Sequence, residues 1–260
     1  MGGQVRTEQH GPLGWIIFDH SERRNAISGA MWRAIPECVQ TLEQDPAVRV
    51  VIMRGAGEVA FVSGADISEF EQSRSSVGAE QYDADNARAI GALAMCAKPV
   101  IALIHGFCVG GGCAIALAAD LRYAADDAVF AIPAARLGLG YGAGGLEILE
   151  RVVGVAAAKE IFFTARRFRA DEALHMGLVN RIVPKAELDA CVHKTAEEIA
   201  ANAPLTIRSA KLVLRELGRD STQRDHNAIA DSIRTCYESA DYAEGVRAFL
   251  EKRRPNFTGR

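Results

Sequence analysis

The sequence predicts an α/β protein with a helical C-terminal region, and three observations carry the prediction. Apolar runs of the kind buried on both faces of a parallel sheet, such as VRVVIMR at 48–54, alternate with helix-period segments through residue 132. That succession implies right-handed crossovers and a sheet layered by helices. From Gly145 onward the segments read as helices. With 260 residues, 49% of them hydrophobic and 24% charged, the chain can bury a large core. The expected division is an α/β core over 1–200 and a helical region over 201–260.

Taken in order, Gly14–His20 is a short strand ending in a polar turn. Ser28 is an N-cap for a helix over Gly29–Gln44, where Met31, Ile35, Cys38, Val39 and Leu42 recur at helical spacing and Asp45-Pro46 is the stop. Val48–Arg54 is a strand, Phe61–Ile67 a sharp turn, and Ser68–Glu80 a polar stretch expected to be mobile. A helix over Tyr82–Ala97 precedes the strand Val100–His105, a glycine turn and a helix over Gly112–Ala119. Leu121–Ala125 and Val129–Ile132 are short strands. Helices are expected at Leu146–Val153, Ala156–Thr164, Asp171–Met176, Lys185–Asn202, Leu205–Leu217 and Asp225–Glu238, with Pro204 in a first turn where its missing N–H costs little.

Composition narrows the function classes. A net charge of −3 gives no electrostatic case for nucleic acid or an anionic membrane as partner. No apolar run approaches the roughly 20 residues that span a bilayer. The opening MGGQVRTEQHGPLG lacks the apolar centre of a signal peptide, so a cytoplasmic location is expected. Six cysteines are scattered without a C-x-x-C pair, which points to reduced thiols and no metal site.

Two glycine-rich segments could carry chemistry. FVSGADI (61–67) and FCVGGGC (107–113) each place small residues where a backbone must approach a ligand with free N–H groups. Two such groups aimed at one point would polarise a carbonyl and stabilise an enolate, and Gly110–Gly112 also opens a helix with its positive N-terminus. The plainer alternative is that the glycines let a helix pack closely on the sheet. Gly140 through Gly145 formally matches G-x-G-x-x-G, but its preceding strand ends at Pro133, too early for a dinucleotide fold.

Several ordered motifs now join. Asn25-Ala26-Ile27 follows Arg23-Arg24; then come Phe61 to Ile67, Lys98 to Ala102 leading to His105-Gly106-Phe107, Gly110 to Cys113, Asp120, Leu137-Gly138-Leu139, Gly142 to Gly145, Ala170 through Gly177-Leu178-Val179, and Glu244-Gly245 through Arg253. On these residues the chain resembles the crotonase (enoyl-CoA hydratase/isomerase) superfamily over nearly its full length. The resemblance implies a crotonase-type (ClpP-like) spiral of ββα units and assembly as a homotrimer or a dimer of trimers through the helical C-terminus. It implies an acyl-CoA thioester as ligand, with coenzyme A present as part of the substrate rather than as a resident cofactor. By position, the N–H groups of Ala65 and Gly111 would form an oxyanion hole. Arg24, Ala26, Ser63, Ala65, Asp66 and Ile67 match the segments that hold the bent CoA. Phe249 and Lys252 match a pair that reaches the CoA of a neighbouring subunit, although Lys252 also reads as a solvated lysine within Glu251–Arg254.

The chain departs from the family pattern at the acids. Hydratases of this family bracket a water with two glutamates, the minimum apparatus for adding H and OH across a double bond. Here those positions are Ala114 and Ala134, and the acid a dienoyl isomerase would carry near Gly142 is missing too. Tyr141 matches a tyrosine of the decarboxylating branch, where a phenol could orient a carboxylate or a proton-donating water; it could equally fill space beside glycines. Arg136 could pair a substrate carboxylate, or serve as an ion-pair partner at a surface. Asp66 and Glu69 flank the turn, Asp66 reading as a structural turn residue. His105 and Asp120 read as scaffold. Three readings stay open: an enolate-stabilising hydratase/isomerase relative, a decarboxylase of a malonyl-type CoA ester, and an acyl-CoA-binding protein without turnover.

Overall fold

Val50–Gly55 (VVIMRG) and Val100–Ile104 (VIALI) are apolar at almost every position, so they are stable only with both faces covered. The computed structural model, which describes residues 2–66 and 76–260, meets that requirement. In chain order its strands are β1 (Gln4–His10), β2 (Leu13–Asp19), β3 (Val50–Gly55), β4 (Ala60–Val62), β5 (Val100–Ile104), β6 (Phe107–Val109), β7 (Leu121–Ala125), β8 (Val129–Ala131), β9 (Phe168–Arg169) and β10 (Arg181–Val183). They form a six-stranded sheet, β1-β2-β3-β5-β7-β10, and a four-stranded sheet, β4-β6-β8-β9. The helices are α1 (Gly29–Gln44), α2 (Ser76–Met95), α3 (Gly111–Leu117), α4 (Ala143–Thr164), α5 (Ala170–His175), α6 (Lys185–Ala200), α7 (Pro204–Leu217), α8 (His226–Tyr237) and α9 (Ala240–Leu250).

Side-chain alternation divides the core. Ile16, Phe18, Val51, Met53, Ala102 and Ile104 face Trp32, Ile35 and Val39 of α1. Trp15, Ile17, Val50, Ile52, Ile101 and Leu103 face Leu188, Val192 and Ala196 of α6. Full burial of Leu188 or Val192 stabilises this layer by roughly 2 kcal/mol each. As expected, Ser28 caps α1, its Oγ accepting from the Met31 N–H at 3.2 Å.

Several boundaries differ from expectation. The N-terminal strand β1 was not foreseen, because Arg6, Glu8 and His10 make it polar; it is an antiparallel edge strand joined to β2 across Gly11 and Pro12. β3 starts at Val50 rather than Val48, and α2 starts at Ser76 rather than Tyr82. Helices do not fill everything after Gly145: β9 pairs with β8 and β10 with β7, so both sheets are completed by strands of two and three residues, too short to show a period. Leu146–Val153 and Ala156–Thr164 are one element, α4, broken as expected at Gly154, whose φ is +76°. The helix α9 was missed because Ser239 caps it directly after α8, leaving no visible loop. The mobility expected for Ser68–Glu80 falls mainly on residues outside those described.

The C-terminal helices are clothed on one side only. No residue of α8 is buried, and α9 buries only Asp241 and Ala248. Leu214, Tyr237, Phe249 and Leu250 are all exposed. No helix among the described residues is long and apolar enough to cross a membrane.

Candidate active site

The two glycine segments meet because their strands are neighbours. β4 and β6 run parallel, pairing Val62 with Cys108, and each then turns through a glycine in the left-handed half of backbone space, Gly64 at φ +113° and Gly110 at φ +52°. A Cβ on Gly110 would lie 3.9 Å from the Gly64 Cα, and one on Gly64 would lie 3.6 Å from the Val109 carbonyl oxygen. At Gly112 there is no room at all, since a methyl would overlap the Val62 carbonyl.

Hydrogen bonding decides which N–H groups stay available. Ile27 N–H donates to the Gly64 carbonyl at 2.8 Å, and Asp66 N–H donates to the Ile27 carbonyl at 2.9 Å. In a parallel bridge of this kind the middle residue, Ala65, points its own N–H and C=O away from Ile27. On the other turn, Gly110 N–H donates to Ala131 at 2.8 Å, while Gly111 opens α3 and so has no intrahelical acceptor. Neither the Ala65 nor the Gly111 N–H has an acceptor among the described residues.

Behind Gly111 stands Trp32: a Cβ on Gly111 would be 3.0 Å from its Cζ2 and 3.4 Å from the Ile27 Cγ2. The Trp32 indole Nε1–H donates to the Tyr82 hydroxyl at 3.0 Å, tying α1 to α2. Asp85, 2% exposed, strengthens that tie by accepting from Arg33 at 3.2 Å, from Gln81 at 3.0 Å and from Arg88. Burial would raise its carboxyl, but these donors outweigh it and hold Asp85 below the usual carboxylate range.

Around this point Ala114 is half-buried in α3, and Ala134 is buried in a 3₁₀ turn over Pro133–Leu137. Tyr141 places its ring edge-on to Phe162 at 4.9 Å, against Gly145. The residue is 36% exposed, and partial burial, with Cys113, Tyr82 and Asp83 nearby, pushes the phenol up to about 12. It therefore stays protonated across the neutral range. Arg136 is exposed and has no carboxylate partner among the described residues.

The remaining sequence candidates separate. Asp66 accepts from Arg23 at 2.5 Å, as a structural turn residue would, and Ser63 Oγ donates to the Arg23 carbonyl at 3.2 Å. Ala26 is buried, its carbonyl accepting from His20 Nδ1 at 3.0 Å. Arg24 is exposed with φ +52° and lies over the Phe107 ring at 5.1 Å. Ile67 and Glu69 lie outside the described residues. Phe249 is 84% exposed, and among the described residues neither it nor Lys252 has a hydrogen bond or ring contact with either glycine turn. Lys252 occupies φ +53° just past α9, where its N–H donates to Phe249 and that of Arg253 donates to Ala248, a helix stop at which glycine is usual. His105 Nε2 donates to the Gly57 carbonyl at 2.6 Å, and burial holds its pKa below the ordinary histidine value. Asp120 accepts from Val100 N–H at 2.7 Å and Lys211 at 2.6 Å. Both are scaffold, as read from sequence.

Sequence reasoning missed Trp32 and Tyr82 as supports of Gly111. Helical spacing marks a buried face on α1 but cannot say which turn that face will back.

Comparison with known proteins places this geometry. Residues 8–260 match the family model described as enoyl-CoA hydratase/isomerase. A crotonyl-CoA hydratase of Syntrophomonas wolfei is 36% identical over 253 residues, covering 97% of each chain. A peroxisomal Δ(3,5)-Δ(2,4)-dienoyl-CoA isomerase of Arabidopsis thaliana is 35% identical over 97% of this chain and 95% of its own. A crystal structure of an enoyl-CoA hydratase/carnithine racemase from Magnetospirillum magneticum superposes with a TM-score of 0.94 at 37% identity, covering 98% of this chain and 96% of that one.

Proposed function

The chain belongs to the enoyl-CoA hydratase/isomerase family, and from that premise we propose that it binds an acyl-CoA thioester and stabilises its enolate with the N–H groups of Ala65 and Gly111. One observation carries the reading: two N–H groups on adjoining turns without an acceptor among the described residues, one directed away from Ile27 and one at a helix start. Such donors act where negative charge develops on the thioester oxygen, and they are fixed before the reaction begins.

The two-glutamate hydration reaction is not the one this site favours. Ala114 and Ala134 stand where the acid and base would be, and a methyl group transfers no proton. Tyr141 and Arg136 favour a second reading, decarboxylation of a malonyl-type CoA ester. In that reaction the bond from Cα to the carboxylate breaks, CO₂ leaves, and the bond electrons enter the enolate held by the two N–H groups. A proton then adds at Cα, supplied by the protonated Tyr141 or by a water it orients. Arg136, without a carboxylate partner among the described residues, offers a guanidinium to the carboxylate before it leaves.

Coenzyme A enters only as part of the substrate. The exposed apolar faces of α8 and α9 fit a trimer or dimer of trimers, in which Phe249 and Lys252 would reach the CoA of a neighbouring copy. Residues 201–260 would then complete the site as well as the assembly.

Assays of crotonyl-CoA hydration and methylmalonyl-CoA decarboxylation on the same preparation test this. Decarboxylation with hydration well below roughly 10 s⁻¹ is expected. Hydration at or above that rate would overturn the reading of the two alanines, and CoA binding with neither reaction would leave a binding protein. In the double variant Ala114→Glu/Ala134→Glu hydration should appear; no gain with CoA binding retained would contradict the assignment of those positions.

A further inference from the structure

We propose that Tyr82 is a positioning residue of this site: by holding the Trp32 indole, its hydroxyl fixes the Gly111 N–H on the thioester oxygen; this rests on the enolate-stabilising reading above. The chain has two tryptophans, and their indoles fare differently. Trp15 is buried with its indole N–H lacking an acceptor among the described residues. Trp32 is fully buried too, yet its Nε1–H donates to the Tyr82 hydroxyl at 3.0 Å, across 50 positions of sequence. Burial alone does not supply such a bond; α2 has to bring the acceptor.

The indole is rigid, and the two atoms that matter are close together on it. Nε1 and Cζ2 flank one ring-fusion carbon. Nε1 is bonded to Tyr82, and Cζ2 stands against Gly111, 3.0 Å from where a Cβ would be. Swinging the ring about its side-chain torsions moves both atoms together, so the bond that fixes one edge fixes the other. Ile27 closes the same face, its Cγ2 3.4 Å from that Cβ position, and its backbone pairing directs the Ala65 N–H away from it. Trp32 and Ile27 thus form one wedge behind both donors. Both are fully buried, so neither can shift without opening a cavity.

A hydroxyl holds a ring only if its own helix is held. Trp32 and Arg33 are consecutive in α1, while Tyr82 and Asp85 lie about one turn apart on α2. Asp85 accepts from Arg33 at 3.2 Å, so two consecutive α1 residues each bond a different α2 residue. Two such attachments fix α2 against both sliding and rolling, which one bond would not. The same phenol bears on the side-chain half of the site, since Tyr82 is among the groups that push the Tyr141 phenol up. Oxyanion donors act by being preset, so a loosened Trp32 ring weakens polarisation of the thioester more than binding of the ligand.

The experiment is infrared spectroscopy of carbonyl-labelled butyryl-CoA bound at saturation to the wild-type protein, Tyr82→Phe, Trp32→Phe, their double variant and Val192→Ala, with affinities from calorimetric titration. The wild-type protein should lower the thioester carbonyl frequency relative to free ligand. Tyr82→Phe keeps the ring and removes the acceptor; it should forfeit about half of that downshift, since one of two donors is loosened, while affinity falls by no more than about threefold. Trp32→Phe should forfeit at least as much, and adding Tyr82→Phe to it should change nothing further, because the two act as a unit. Val192→Ala, under the opposite face of the large sheet, should lower stability and leave the frequency unchanged. The full downshift in a folded Tyr82→Phe protein, an equal loss in Val192→Ala, or additive losses in the double variant would each overturn the positioning role and leave the enolate reading standing. Should Tyr82→Phe fail to fold, the full downshift in Trp32→Phe overturns the role as well. A wild-type protein that does not bind butyryl-CoA, or binds it without a downshift, overturns the enolate reading and the positioning role with it.

Discussion

Where β4 meets β6 and α3, the chain completes itself: Val62, Cys108, Cys113 and Ile115 are buried, and even a methyl on Gly112 has no space. The C-terminal helices contrast with this. Phe249, Leu250 and Leu214 face outward, and the last residues are held by polar bonds instead of packing. Asp241 accepts from the Thr258 N–H at 2.7 Å and the Gly259 N–H at 2.8 Å, while Glu244 pairs with Arg253 and Arg247 and accepts from the Asn256 N–H at 3.0 Å. The difference is that the glycine-turn region is packed within one chain, whereas the C-terminal region leaves large apolar side chains uncovered.

Substitutions can break that contrast, beginning with the largest effect. Trp32→Ala should destabilise the fold by about 4 kcal/mol, because it leaves a large cavity directly behind Gly111. Denaturant melts measure it, and a loss below 1 kcal/mol would mean that the turn is not supported from α1. Gly112→Ala should cost about 3 kcal/mol through overlap with the Val62 carbonyl. The open region should behave differently. Lys252→Gly should stabilise the chain by about 1 kcal/mol, since it relieves a left-handed residue, yet weaken CoA binding in the assembled protein. A variant less stable and with unchanged CoA affinity would remove Lys252 from the site.

The smallest expected effect is a pH slope. His105 is depressed in the folded state, so the unfolded chain takes up protons first as pH falls below 6.5. Its neutral form is tolerated above that value, and stability should decline as pH drops through the window beneath it. In His105→Gln this part of the slope should vanish; an unchanged slope would locate the titrating group elsewhere.

Local signals explain what sequence could reveal. Ser28 and the spacing of Met31, Ile35, Val39 and Leu42 mark α1 without knowledge of any partner, and VIALI marks a buried parallel strand. The polar edge strand β1 and the short strands β9 and β10 exist only through pairing with distant segments, which no local period records. The same limit applies at the site. Glycines at 64 and 110–112 indicate a backbone that something must approach, but their mutual adjacency entered the sequence reading only through family resemblance. The Trp32–Tyr82 bond spans 50 positions, and the Arg24–Phe107 contact joins two separate segments. Contacts of that kind depend on topology.

The central claim is that the Ala65 and Gly111 N–H groups hold the thioester oxygen. Isotope-edited infrared spectroscopy of a carbonyl-labelled acyl-CoA bound at saturation tests it most directly, independently of which residue moves the proton. The account predicts that the thioester carbonyl stretch falls to lower frequency on binding. A bound ligand whose carbonyl frequency matches that of free acyl-CoA in water would contradict it.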